Sequence, residues 1–432
     1  MKNNNSKLSG IMPSVSNIIK NNLVIIIFLV LCIISIYYSQ LPLTFIVREA
    51  FTRVGRNSIL VLSLILPILC GLGLNFSIVI GAMAGGIGLL MVTHWHIDGL
   101  PGLLTAAIIG TVLSILFGFF TGKVLNKTKG QEMITGLILG FFAGGAYQLV
   151  FIYMVGSIIP FYNPIMLLDT GVGLRNTINF NPATQGVLDS TWSLPAVEAI
   201  RWVSLIYPLA LACYISYKVF KLKNPLKEVL KKSIANLILV SVVIFLSILT
   251  FSSEGFRNIF FITQIPVLTG VVIALVCLLL VFISHTKLGR DIKTVGQNMA
   301  VATSSGINVN KVRIISVILS TVIAAWGQIV FLQNIGNINT YSSHEQVGMF
   351  AIAALLVGGA SVTKASIPQV FIGIILFHVL YFTSPMAGRT LFDDPQVGEF
   401  FRLFISNIVI AISLALYTWR RMVAKRKIME EN

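Results

Sequence analysis

The residues best suited to chemistry are few. His94 and His96 form a His-x-His pair around Trp95, with Asp98 close behind, a spacing that can hold a metal ion. The same residue types at the end of an apolar run also serve as interfacial anchors and loop contacts. No GxxxxGK[ST] phosphate loop occurs: the nearest string, Gly118 to Val124, lacks both the spacing and the Ser or Thr that would hold magnesium. The chain is therefore expected to hydrolyse no nucleotide, to be no enzyme, and to carry no cofactor or metal of its own. Cys32, Cys70, Cys213 and Cys277 all lie in apolar runs without CxxC spacing, which argues against a disulfide framework or a zinc site and for small hydrophobes.

Ionisable groups deep in apolar runs are the next place to look, because each is costly unless paired. Glu132, Arg201 and Arg402 fall near the ends of such runs, within reach of headgroups. The polar residues within or between the runs are mostly neutral: Asn75, Ser77, Gln148, Gln328 and His378. Neutral donors and acceptors suit a path for an uncharged polar solute, which needs hydrogen bonds without a large desolvation cost. They equally suit glue between packed helices. The scarcity of intramembrane acids counts against an ion-coupled secondary carrier, which stands as the alternative reading.

Membrane spans must position these groups. Of 432 residues 56% are hydrophobic and 11% charged, with a mean hydropathy of +0.89, whereas about a quarter of an ordinary soluble domain is charged. A crossing of the ~30 Å hydrocarbon layer takes about 20 apolar residues. That ruler gives candidate spans at 22–38, 59–74, 78–92, 103–120, 133–158, 202–220, 234–251, 267–283, 314–331, 347–362, 370–382 and 400–417. The expected fold is all-α: a polytopic transmembrane helical bundle of about 12 spans, roughly 10 to 12, some of them broken by glycine. The first run closes on Tyr37, Tyr38, Ser39 and Gln40 rather than on a small-x-small cleavage site, so it reads as a retained span. Gly81 and Gly85 form a GxxxG pair, and Gly144–Gly145 and Gly358–Gly359 are further sites where backbones can approach closely.

Placing both termini in the cytoplasm puts most of the 31 Lys and Arg on that side, as positive-inside sorting requires. Sorting explains the net charge of +16 without a nucleic-acid partner. Arg48, Arg53 and Arg56 then fall outside, where an amphipathic interfacial helix would account for them. The organisation read from this is one transmembrane domain over 1–432, with an extracytoplasmic loop at 159–200 and a cytoplasmic loop at 284–313.

The cytoplasmic loop carries the most specific pattern. It reads His285, Thr286, Lys287, Leu288, Gly289, Arg290, then Val295, Gly296, Gln297, Asn298, then Ala302, and finally Ser305 to Lys311. This resembles the cytoplasmic loop of the ribose-type permeases of bacterial ABC importers, which also handle other simple sugars, nucleosides and, more distantly, branched-chain amino acids. Ala351 to Ser361 resembles the broken span that follows it in that family. The resemblance implies a permease subunit in the bacterial plasma (inner) membrane, carrying a small polar solute such as a simple sugar or nucleoside. It also implies a cytoplasmic ATP-binding subunit, a second permease chain and an extracytoplasmic solute-binding protein as partners. The segment from Gly296 to Ile307 would be the coupling helix, with Gly289, Arg290, Gly296, Asn298, Ala300, Ser304, Ser305, Gly306 and Ile307 making the ATPase-facing loop. Asn75, Phe76 and Ser77 replace a string that commonly bears an acid, and Thr363 to Ser366 replace a glycine-rich one. Residues 159–251 look like an addition to the usual layout.

Overall fold

The computed structural model describes residues 22–180, 184–220, 234–394, 396–404, and positions 407, 408, 411, 412 and 415. The termini, with the flanking lysines and arginines that set the expected orientation, lie outside the described residues, as does part of the span expected at 400–417. In chain order the helices begin with α1 (Leu23–Ser39), α2 (Leu43–Leu62), α3 (Ile65–Leu69), α4 (Ile78–His94), α5 (Gly99–Lys127) and α6 (Glu132–Leu149), which continues into a π-turn at Val150–Met154. Then come β1 (Thr177–Asn179), β2 (Ser193–Pro195), α7 (Ala196–Phe220), α8 (Ile234–Ser252), α9 (Glu254–Ile262), β3 (Gln264–Pro266) and α10 (Val267–His285). The last described elements are α11 (Lys287–Gln297), α12 (Met299–Ser304), α13 (Val309–Ile335), β4 (Asn337–Asn339), α14 (Glu345–Val357) and α15 (Ile367–Phe392).

Among the described residues, seven helical segments are long and apolar enough to cross a membrane, and four shorter apolar helices accompany them. Each coincides with an expected span, so the chain is a multi-pass helical membrane protein. One boundary differs. The span expected at 59–74 is a helical segment over Leu43–Leu69 that takes in all three arginines, so they occupy no separate interfacial helix. Arg53 stacks over the rings of Tyr381 and Phe382 at 5.6 and 5.4 Å, and Arg56 over Phe331 at 5.5 Å. Aromatic faces stand in for water around these guanidinium groups and let an apolar bundle carry them.

The chain forms two compact units. Of the described residues, the larger takes those within Met1–Leu41, Arg53–Leu188 and Thr269–Asn432. At its centre α4, α5 and α13 pack on one another. A Cβ on Gly81 or Gly85 would meet the carbonyl oxygen of Thr321 or Ala325, so α4 and α13 touch backbone to backbone. Gly85→Val is expected to lower stability by at least about 1–3 kcal/mol, seen as a lower thermal midpoint of the purified protein. Two breaks interrupt the spans of this unit. Residues 70–77 join α3 to α4 without helix, using left-handed Gly71 (φ 77°) and Gly73 (φ 72°), a conformation that favours glycine. Gly358 and Gly359 end α14, and the chain then turns back through a bond in which Ser361 N–H donates to Lys364 O at 2.8 Å. The long segment after α6 is sewn back onto the end of α13: β1 pairs antiparallel with β4, with Ile178 opposite Ile338, and Gly186 N–H donates to Gln333 O at 2.8 Å.

The smaller unit takes Pro42–Thr52 and Asp189–Leu268. In it α7 packs on α8, with Ser204 and Ser247 hydroxyls 3.2 Å apart, and β2 pairs antiparallel with β3. Arg201 lies over the Phe251 ring at 4.3 Å. The short α9 is capped by Ser253, whose hydroxyl accepts from Phe256 N–H at 3.3 Å.

Candidate functional site

The segment from α11 to the start of α13 owes its shape to three polar caps. The Thr286 hydroxyl accepts from Gly289 N–H at 3.3 Å and starts α11. Asn298 is extended, ends α11, and starts α12 by accepting from Ala300 N–H at 2.9 Å and Val301 N–H at 3.2 Å. Left-handed Gly306 (φ 77°) closes α12, and Asn308 caps α13 through Lys311 N–H at 3.0 Å. Ile292 and Val295 bury the inner face of α11. Gly296 lies so close to the Leu69 carbonyl and to Gly71 that no side chain fits there, which seats α11 directly on the break after α3. Arg290, Ala300, Val301, Ser304, Ser305 and Gly306 remain exposed, and Ile307 is half-buried. The result is a short rigid helix with a small-residue face held away from the bundle.

Directly behind α12 sits Arg313, with a side chain only 1% exposed. It pairs with Glu132, itself 9% exposed, at 2.6 Å. Its remaining donors reach Asn126 Oδ1 at 2.8 Å, Leu125 O at 3.2 Å and the Met299 sulfur at 3.6 Å. Glu132 Oε2 accepts from Gly130 N–H at 2.9 Å. Glu132 therefore does not reach for headgroups, as its place near a span end suggests; a buried guanidinium claims it, because each charge needs the other once both leave water. This joint gathers the end of α5, the start of α6, the start of α13 and α12.

At the opposite end of α13 a cavity of about 260 Å³ opens. Its polar wall is Asn57, Asn337, Asn339, Ser342, Ser343, Gln346 and His378, and its apolar wall includes Phe331, Phe350, Leu60 and Val347. No carboxylate or ammonium lines it among the described residues. Asn339 Oδ1 and His378 Nδ1 are buried without a hydrogen-bond partner, as are Gln328 Oε1 and His344 Nε2 close by. Gln328 connects to the cavity by donating to Ser343 O at 3.3 Å. Burial pushes the His344 imidazole down to about 4, which keeps it uncharged near neutral pH. Buried polar atoms are nearly always satisfied in native proteins. A cluster of unsatisfied neutral ones beside a cavity is equipped to receive hydrogen bonds from something that enters it.

A family model described as branched-chain amino acid transport system / permease component matches residues 47–413. The chain belongs to this family. It is a multi-pass protein of the bacterial inner membrane. Relatives include a fructose import permease of Rhizobium meliloti, 28% identical over 182 residues that make 41% of this chain and 47% of the relative. The ribose import permease of Escherichia coli K12 is 28% identical over 132 residues, 30% of this chain and 38% of the relative. An autoinducer 2 import permease of Klebsiella pneumoniae is 38% identical over 79 residues, 18% and 23% of the two chains. The chain thus aligns with less than half the length of these curated permeases. No solved structure matches.

Of the five residues suggested for a path, His378 lines the cavity and Gln328 stands one hydrogen bond from it. Asn75 and Ser77 are paired inside the first break: Ser77 N–H donates to Asn75 Oδ1 at 3.2 Å, and Asn75 Nδ2 to Ser320 Oγ at 3.4 Å. Gln148 donates to Tyr341 O and Glu345 Oε1, both at 3.3 Å. His94 stacks on Phe161 at 3.9 Å, His96 sits in a left-handed turn, and the described residues hold no group of three or more His, Cys, Asp or Glu that could bind a metal ion. Sequence reasoning missed Arg313, Asn57, Asn339, Gln346 and the two phenylalanines. The available signal was weak: Asn57 belongs to a helix whose start was hidden by its arginines, and Asn339 to a three-residue strand.

Proposed function

We propose that this chain is the membrane-spanning permease subunit of an ATP-binding-cassette importer for a small, uncharged, polar solute, a simple sugar or nucleoside. The observation that carries the solute class is the cavity beside α13, with neutral amides, hydroxyls and an imidazole on one wall and phenylalanines on the other. Hydroxyl groups can satisfy the buried amide oxygens, and ring faces can stack on the apolar side of a sugar or on a base. Import of fructose and of ribose by those two relatives agrees with this chemistry.

In this reading α12 is the coupling helix. It docks on a cytoplasmic ATP-binding subunit, and ATP-driven closure reaches the spans through two contacts: Gly296 on the break after α3, and Met299 on the Arg313 joint. A second permease chain completes the path, and an extracytoplasmic solute-binding protein delivers the cargo. Gentle isolation from the native membrane is expected to bring down an ATP-binding subunit in stoichiometric amount. Repeated isolation without one, together with uptake driven by an ion gradient, would move the assignment to a secondary carrier.

Asn339→Leu and Phe350→Ala should each weaken solute uptake about tenfold or more, since a hydrogen bond or an apolar stacking surface is worth on the order of 1–3 kcal/mol. Initial uptake rates against solute concentration, in cells expressing equal amounts of each variant, check this. Full uptake by both variants would remove the cavity from the path.

A further inference from the structure

A long apolar groove runs between α4, α5 and α6, with a volume of about 510 Å³ and carbon on almost every wall. On α5 its wall is the stripe Leu113, Phe117, Phe120 and Val124, spaced as residues on one helical face must be. The next position on that stripe is Lys127. From Leu113 to Val124 the stripe rises about 16 Å, close to half of the ~30 Å hydrocarbon layer. On α6 the facing wall includes Leu139, Phe142 and Ala146. Along α5 the apolar wall therefore covers about half of the hydrocarbon layer and the same helical face continues to Lys127, while beyond α6 the groove runs on to Val155, Ile159 and Phe161.

We propose that this groove holds one acyl chain of an anionic phospholipid, whose phosphate is bound by Lys127 with Lys123. Water in a carbon-walled groove at membrane depth would find no hydrogen-bond partners, and an empty one would forfeit its dispersion contacts. A lipid tail meets neither difficulty. Charge selects the headgroup. Lys123 and Lys127 lie one turn apart on the exposed end of α5, Lys129 follows, and no ion pair engages these three among the described residues. Lys123 lies over the Phe119 ring at 4.4 Å, next in sequence to the groove-lining Phe120. The site is next to the joint described above, since Leu125 O and Asn126 are held by Arg313. Lipid bound here would brace the same end of α5 that supports α12.

The test uses the full-length chain with whatever subunits accompany it, stripped of lipid in detergent and titrated with phosphatidylglycerol or phosphatidylcholine under native mass spectrometry. One phosphatidylglycerol per chain should persist in preference to phosphatidylcholine. Ala146→Trp, which fills the groove from an exposed position, should abolish retention of that lipid. The double change Lys123→Gln with Lys127→Gln leaves the groove intact and should remove the preference for the anionic lipid, by about fivefold per lysine. Equal retention of both lipids by the unaltered protein, or full preference in the lysine variant, would overturn the proposal. So would an efficient disulfide between two copies carrying Ala146→Cys, because a second chain would then occupy the groove.

Discussion

Replacing Arg313 by alanine is expected to remove about 3–5 kcal/mol of stability, the usual cost of stranding one member of a buried ion pair. The guanidinium belongs to the largest fully buried side chain among the described residues and satisfies a carboxylate, an amide oxygen, a backbone carbonyl and a thioether at once. Alanine leaves Glu132 Oε1 and Leu125 O facing a void without donors. Arg313→Lys keeps the charge but not the fork of five donors, so it should recover only part of the loss. Arg313→Met combined with Glu132→Leu should be milder than either single truncation, because no unpaired charge remains buried. Thermal midpoints of the unaltered protein, these variants and the two single truncations in one detergent make the comparison. An alanine variant with an unshifted midpoint would show that the joint does not hold the end of the bundle together.

Much of the architecture was legible because hydropathy marks a span regardless of what packs against it. Apolar runs of sufficient length at 103–120, 267–283 and 314–331 lie within α5, α10 and α13. The start of α2 was not legible for the opposite reason. The helix carries Arg48, Arg53 and Arg56 before its apolar end, and only the tertiary structure supplies the rings of Tyr381, Phe382 and Phe331 that cover the last two. Arg313 looked like one more loop cation, since its partner lies 181 residues away and nothing local distinguishes a paired arginine from a solvated one. His378 stood out as an imidazole in an apolar run and does line the cavity. Asn75 stood out equally, yet its amide is used within the break to hold Ser77. Polarity in a span reveals that a group needs a partner; whether that partner is the protein or a solute depends on residues far away in sequence.

The second large effect is expected on α12. Val301 is 52% exposed on a helix of six residues. Ala300 and Ser304 flank it on the exposed side. A helix that docks into a groove on an ATP-binding subunit must present such a small, largely uncharged face, because a charge carried into that groove would be desolvated without a counterion. Ala300→Glu or Val301→Asp should therefore reduce co-isolation of the ATP-binding subunit by more than about tenfold, which needs only ~1.4 kcal/mol. Ser304→Trp should do the same by bulk. None of the three side chains is buried in the bundle, so membrane insertion and the thermal midpoint of the isolated chain should stay unchanged. That separates these variants from Arg313→Ala, which weakens the bundle itself. Tyr162→Ala, an exposed change in the loop that follows α6, serves as the control and should leave recovery intact. Full recovery of the ATP-binding subunit with all three α12 variants would show that docking lies elsewhere on the chain, and the exposed cations of α11, Arg290 and Lys293, would be the next surface to alter.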